Sequence, residues 1–466
     1  MAIPDDPTPA DPARMHTFRN DDEVLAQSIM GYALERIRHL PSLDGPQTSE
    51  ELHRAAGICI TPDGLGGSEA LRRWAEALAP ACISQDHPRA LSFVPSAPTR
   101  AAILFDLVVG ASSIYAGSWL EGAGAIHAEN EALRWLSGLA GFAEGAGGVF
   151  VSGGSAGNLS ALVAARHAAT VRRGGERPAR WALVASREAH SSIAATARVM
   201  DVDVVDADVD ERGRLTGEAV AAAIAAHGQD NLFAVVATSG TTNAGMVDDL
   251  AGAGAVARAN DLWFHVDGAY GGAGLAAPSV RAHYDGIEHA DSLVVDPHKW
   301  LFAPFDCAAL IYRDPQEARR AHTQHAEYLD VLNDDAAYNE WNSSDYAYHL
   351  SRRARGLPFW FSLSTYGTDA YTAAVEETLR VTRAIAEVIR DADHVELVMD
   401  PMLSVTMFQR TGWDTDDYRR WSDARLAEQK SLTVPSSWRG EPVMRFCVVN
   451  PRTTLDDLTM LVETMR

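Results

Sequence analysis

The sequence predicts an α/β protein: a mostly parallel sheet covered by helices on both faces, preceded by a helical N-terminal segment and followed by a smaller α+β C-terminal domain. Three observations carry this. Between about residues 148 and 314, short runs rich in Val, Leu, Ala and Phe alternate with helical stretches, and runs apolar on both faces are the pattern of buried parallel strands. After Pro315 the chain turns polar and aromatic-dotted, then helical near residues 363–390. At 466 residues it is also too long for one small core.

Taken in order, residues 1–20 begin MAIPDDPTPADPAR, rich in Pro and Asp, and read as a disordered arm and not a secretory signal. From Asp21, the apolar residues Val24, Leu25, Ile29, Met30, Leu34, Ile37 and Leu40 recur at helical spacing until Pro41 stops the helix. That helix opens an N-terminal helical segment, 21–100. The large α/β domain is placed at 101–345, with strands in WALVAS (181–186), LFAVVATSG (232–240), LWFHVDGAY (262–270), SLVVDPHKW (292–300) and AALIYRD (308–314). The small domain, 346–466, closes with VMRFCVVN as a strand, a turn at Pro451 and a capped final helix.

Composition excludes several classes of function. A formal charge of −23 argues against a nucleic-acid partner, which clustered positive charge would have to bind. No apolar run is long enough to span a bilayer, so no membrane partner is expected. The cysteines Cys59, Cys82, Cys307 and Cys447 are widely spaced without a CxxC pair, so neither a disulfide framework nor a metal site is expected. A reducing, cytoplasmic setting fits.

The chain holds only two lysines among 40 basic residues, and one of them, Lys299, lies in DPHKW. A guanidinium stays protonated, whereas a buried amine can lose its proton and act as a nucleophile or form an imine. Upstream, VFVSGGSAGN runs from a strand through a glycine-rich turn into a helix, a natural anion site. REAHSSI places His190 after a strand, SGTTNAG offers Ser239, Thr241 and Thr242, and HVDGAY sets Asp267 at the end of an apolar strand, where open α/β sheets bind ligands. Singly, each has a plainer role: a tight turn, a surface histidine, a helix cap, a structural lysine. Together they match what pyridoxal 5'-phosphate needs, namely an amine, an anion cradle, a carboxylate beside the ring nitrogen and a flat group against the ring.

The blocks SGGSAGN, REAHSSI, SGTTNAG, HVDGAYGG, DPHKWLFAPFDCAAL, LSRRARGLPFWF and RFCVVNPRTT, in that order, resemble the group II pyridoxal-phosphate decarboxylases, the family of aromatic-L-amino-acid and glutamate decarboxylases. The resemblance runs from about Asp21 to the end. It implies the fold-type I transferase fold with a seven-stranded sheet, and a homodimer in which the N-terminal segment packs on the partner subunit. It also implies that Lys299 holds the cofactor as an imine, that Asp267 pairs with the ring nitrogen, that Ala269 packs under the ring, and that His190 stacks on its other face. Gly154, Ser155 and Thr242 match phosphate-binding positions. Asp296 and His298 lie beside the phosphate, Asp296 without direct ligation because both groups are acidic. The resemblance further implies that CO2 leaves the α-carbon, that the electron pair left behind gives a quinonoid, and that a loop tyrosine helps protonate its carbon. Tyr338, Tyr346 and Tyr348 are the candidates, with Tyr346 preferred.

Departures from the family bear on the substrate. In HPRALSFVP, Ala90 and Leu91 replace two aromatics while Phe93 and Pro95 remain, and Ser96 stands where a threonine often neighbours the substrate carboxylate. GSWLEGAGAIHAEN keeps Trp119 and Glu129, but Gly117 replaces a pocket-lining aromatic. The expected reaction is therefore decarboxylation of an aromatic or unusual aromatic-like L-amino acid to its amine. The alternatives are an acidic substrate, decarboxylation coupled to oxidative deamination that gives an aldehyde, and a cofactor-binding protein without turnover.

Overall fold

The computed structural model describes residues 14–18, 20–329 and 340–466, so most of the expected N-terminal arm lies outside the described residues. The chain forms two compact units, divided between Ser84 and Gln85. The first holds α1 (Asn20–Arg38), α2 (Ser49–Ala56) and α3 (Gly67–Arg73). The helix expected from Asp21 is α1, and it stops before Pro41, whose ring would clash with the preceding turn.

In the second unit, α4 (Arg100–Ser112) and α5 (Trp119–Leu139) precede a seven-stranded sheet. Its strands are β1 (Gly147–Val151), β2 (Ala182–Ser186), β3 (Asp203–Ala207), β4 (Leu232–Thr238), β5 (Trp263–Asp267), β6 (Ser292–Val295) and β7 (Ala308–Tyr312), in the spatial order β1-β7-β6-β5-β4-β2-β3. The crossovers include α6 (Gly154–Arg172), α7 (Ser191–Met200), α8 (Gly217–His227) and α9 (Leu250–Ala259). From β3 across to β6 neighbouring strands are parallel. β7 is antiparallel to both β6 and β1. A parallel return needs a crossover, usually helical, and residues 296–307 carry no α-helix, so the chain doubles back. Lys299 sits on that reversal.

Every residue of β1, β2 and β4 to β7 is buried, as their continuous apolar runs require. β3 is an edge strand with Asp203 and Asp206 exposed, which blunts the open edge and hides the strand from an apolar-run reading.

After α10 (Pro315–His322), the expected helical tract is two helices, Leu357–Tyr366 and Thr368–Asp391, separated at Gly367, whose φ of 80° ends the first. A four-stranded antiparallel sheet follows, in the order β10-β11-β9-β8. It comprises β8 (Val395–Leu397), β9 (Val405–Arg410), β10 (Ser436–Trp438) and β11 (Glu441–Cys447). The last helix, Leu455–Glu463, is capped reciprocally by Thr454 and Asp457. Among the described residues no helix is long and apolar enough to cross a membrane.

Candidate active site

The reversal between β6 and β7 is pinned on both sides of the lysine. Trp300 is fully buried, stacks on Tyr270 at 5.4 Å between centroids, and donates its indole N–H to Thr378 Oγ1 at 2.9 Å. His298 Nδ1 lies 2.7 Å from the Cys307 carbonyl across the same loop. Between these anchors Lys299 Nζ reaches Asp296 Oδ2 at 2.9 Å. Burial pulls the Lys299 ammonium down, but Asp296, with Asp267 adding to it, outweighs burial and holds the group above its ordinary value. His298 is shifted the other way, because burial disfavours its charged form.

Lys299 borders a cavity of about 220 Å³ that also touches Gly154, Ser155, His190, Asp267, Ala269, Asp296 and His298. These residues follow the carboxyl ends of β1, β2, β5 and β6, which open on one edge of the sheet. Asp267 is 4% exposed; its Oδ2 accepts from Asn158 Nδ2 at 2.8 Å and its Oδ1 from the Ala269 N–H at 3.1 Å. His190 caps α7, with Nδ1 accepting the Ser192 N–H at 3.2 Å.

One feature fits this cavity to a phosphorylated ring. A Cβ on Gly154 would stand 2.9 Å from the Ala269 methyl and 3.1 Å from the Asp296 carboxylate, so only glycine keeps the cradle open at the start of the 19-residue helix α6. Among the described residues the buried Asp296 Oδ1 has no hydrogen-bond partner, and as an acceptor it meets a phosphate only through a proton or a water. Asp296 Oδ2 already accepts the Gly154 N–H at 3.2 Å, so this carboxylate is engaged with the lysine and the turn.

Other sequence-predicted residues lie away from the cavity. Arg445 Nη2 donates to the carbonyls of both Thr242, at 2.7 Å, and Phe93, at 2.8 Å, tying those two segments together. Pro95 is buried, Ser96 Oγ donates to the Ala303 carbonyl at 2.9 Å, and the Trp119 N–H donates to Asn342 Oδ1 at 2.8 Å. None of these five borders the cavity.

Tyr346 differs from its expected place on a mobile loop. Its ring is 2% exposed and stacks on Trp341 at 4.3 Å, while its carbonyl accepts the Tyr312 hydroxyl at 3.1 Å. An aromatic ring in a polar stretch has found an apolar partner and become core, and burial pushes its phenol up. Tyr348 is exposed and edge-on to His349. Tyr338 lies outside the described residues.

Ser152, Gly153, Asn158, Ser192 and Phe305 border the cavity without having been singled out. Asn158 carried a usable signal: a polar amide one helical turn after Gly154, in the first three turns of a helix where its neighbours are small or apolar.

Residues 68–411 match the family model described as pyridoxal-dependent decarboxylase conserved domain. An aromatic-L-amino-acid decarboxylase of Bacillus atrophaeus is 28% identical over 94% of this chain and 93% of its own. An L-2,4-diaminobutyrate decarboxylase of Rhizobium meliloti is 32% identical over 69% of this chain and 65% of its own. In fold, the chain is similar to the crystal structure of Oryza sativa TDC with PLP and tryptamine, at a TM-score of 0.86 and 23% identity over 96% of this chain and 98% of that one.

Proposed function

We propose a substrate for a chain that belongs to the pyridoxal-dependent decarboxylase family: it removes the α-carboxylate of an aromatic or aromatic-like L-amino acid, releasing CO2 and the amine. The protein is a pyridoxal-phosphate-dependent amino-acid decarboxylase, a lyase of fold-type I. The observation that carries the site assignment is the 2.9 Å pair of Lys299 and Asp296 in one cavity with Asp267 and His190.

Pyridoxal phosphate, when bound, supplies a ring that accepts the electron pair left behind as CO2 departs. The chain's own groups do the rest. Lys299 is the amine that holds the aldehyde carbon, a role no arginine can fill. Asp267, fixed by Asn158 and the Ala269 N–H, keeps acceptor capacity for a proton on the ring nitrogen. Gly154 and Ser155 offer the start of α6 to the phosphate, and Ala269 leaves a flat apolar wall. His190, exposed at the mouth of β2, is placed to orient the substrate.

The aromatic preference is supported by the relative that spans nearly the whole chain and names an aromatic substrate. At Gly117, the Tyr115 ring fills the space that a side chain would need. A homodimer is supported by exposed Leu104, Leu107 and Val108 on α4. A cytoplasmic setting is supported by the free state of all four cysteines. The test is a panel of L-amino acids assayed for CO2, amine, peroxide and ammonia. Amine and CO2 from an aromatic member support the reading. Turnover only of diaminobutyrate or an acidic amino acid overturns the substrate class, and peroxide with ammonia overturns the outcome.

A further inference from the structure

A line of buried polar side chains runs behind the cavity. Trp263 Nε1 donates to Ser292 Oγ at 2.8 Å, and Ser292 Oγ lies 2.8 Å from His265 Nδ1. His265 Nε2 lies 2.9 Å from Asn158 Oδ1. Asn158 Nδ2 then donates twice, to Asp267 Oδ2 at 2.8 Å and to Ser192 Oγ at 2.9 Å. Ser192 Oγ is 2.9 Å from His190 Nδ1, the nitrogen that also accepts the Ser192 N–H. From Trp263 to Ser192 and Asp267, every member is at most 5% exposed.

The two ends of this line fix the direction of its protons. An indole N–H only donates, and an ionised carboxylate only accepts. Asn158 must therefore turn its NH2 to Asp267 and its carbonyl to His265, since the reverse sets two acceptors 2.8 Å apart. His265 then donates from Nε2 and accepts the Ser292 hydroxyl proton at Nδ1, and Ser292 keeps a lone pair for Trp263. Burial keeps His265 neutral, as this pattern requires. With its oxygen accepting from Asn158, Ser192 has its hydroxyl proton free for His190 Nδ1, which leaves the His190 proton on Nε2.

We propose that Asn158 is a positioning residue for the reaction: one amide holds Asp267 as a proton acceptor and, through Ser192, sets His190 as an Nε2–H donor. This rests on the reading of the cavity as the cofactor and substrate site. Asn158 gives up no proton. It couples the group beneath the ring nitrogen to the imidazole beside the substrate, and Trp263 and His265 keep it from flipping.

The test begins with cofactor-free protein labelled with 15N-histidine, in which the His190 resonances are those lost in His190→Gln. Wild-type His190 is expected as the Nε2–H tautomer. In Asn158→Ala, which touches no atom of His190, the Nδ1–H share should rise, and pyridoxal phosphate titrated by its visible absorbance should bind about 10-fold more weakly. A folded Asn158→Ala with unchanged His190 resonances and affinity overturns the proposal. If that variant fails to fold, Ser192→Ala breaks the same link, and wild-type His190 resonances in it overturn the proposal equally. A wild type that binds no pyridoxal phosphate defeats the reading of the cavity, whereas the response of His190 is read without cofactor and is judged separately.

Discussion

Replacing Asp296 by asparagine keeps the shape of the site and removes the charge that holds Lys299 protonated. At 2.9 Å and an effective dielectric of about 20, two unit charges attract by about 6 kcal/mol. The lysine side chain is 23% exposed, so water screens part of this. A surviving net of about 1.5 to 3 kcal/mol corresponds to about one to two pKa units. Only the unprotonated amine attacks an aldehyde, and burial alone pulls the amine down once the carboxylate is gone. In Asp296→Asn the pH midpoint for borohydride trapping of pyridoxal on Lys299 should therefore fall by about one to two units. Pyridoxal is the right probe because it lacks the phosphate, whose repulsion by Asp296 would otherwise enter. An unmoved or higher midpoint would show that Asp296 does not set the state of Lys299.

Glu129 and Arg352 form a buried bidentate pair at 2.7 and 2.9 Å, and Glu129 also accepts the Gly356 N–H at 2.8 Å. Glu129→Gln strands a buried guanidinium and should cost about 3 to 5 kcal/mol in urea unfolding, and a loss below about 1 kcal/mol contradicts this. Burial holds His322 at about 4, so below its unfolded pKa the denatured chain takes up a proton that the native chain refuses. Its contribution to stability is present above pH ~6.5 and is lost as pH falls through about 4. Asp248, pushed up to about 7 by burial, acts oppositely, so the comparison is between melting curves of wild type and His322→Gln. The variant should lose less stability on the acid side, and parallel curves refute the assignment. Lys299→Arg should lose both turnover and covalent cofactor while melting near wild type, and residual covalent cofactor in it would contradict the role given to this lysine.

Much of the site was legible because its residues follow buried strands. Apolar runs place strand ends, and an open α/β sheet puts the carboxyl ends of parallel strands on one edge. Lys299, Asp267, His190 and the Gly154 turn could thus be assembled from blocks far apart in sequence. The layer behind them was less legible. His265 and Asp267 alternate on one face of β5, yet a histidine inside an apolar strand gives no sign that its partner is an asparagine on α6. Tyr346 was expected on a mobile loop from the resemblance alone, and its stack on Trp341 is a packing choice that no local pattern encodes. Thr242, Phe93 and Arg445 meet through backbone carbonyls, a contact blind to residue type on the accepting side.

The chain has two lysines, and Lys430 pairs with Glu428 at 2.9 Å on the surface. Peptide mass spectrometry of borohydride-reduced, cofactor-loaded protein therefore distinguishes the two without ambiguity. The account predicts one pyridoxyl-phosphate adduct per chain, on Lys299. An adduct confined to Lys430, or none on either lysine, would contradict it.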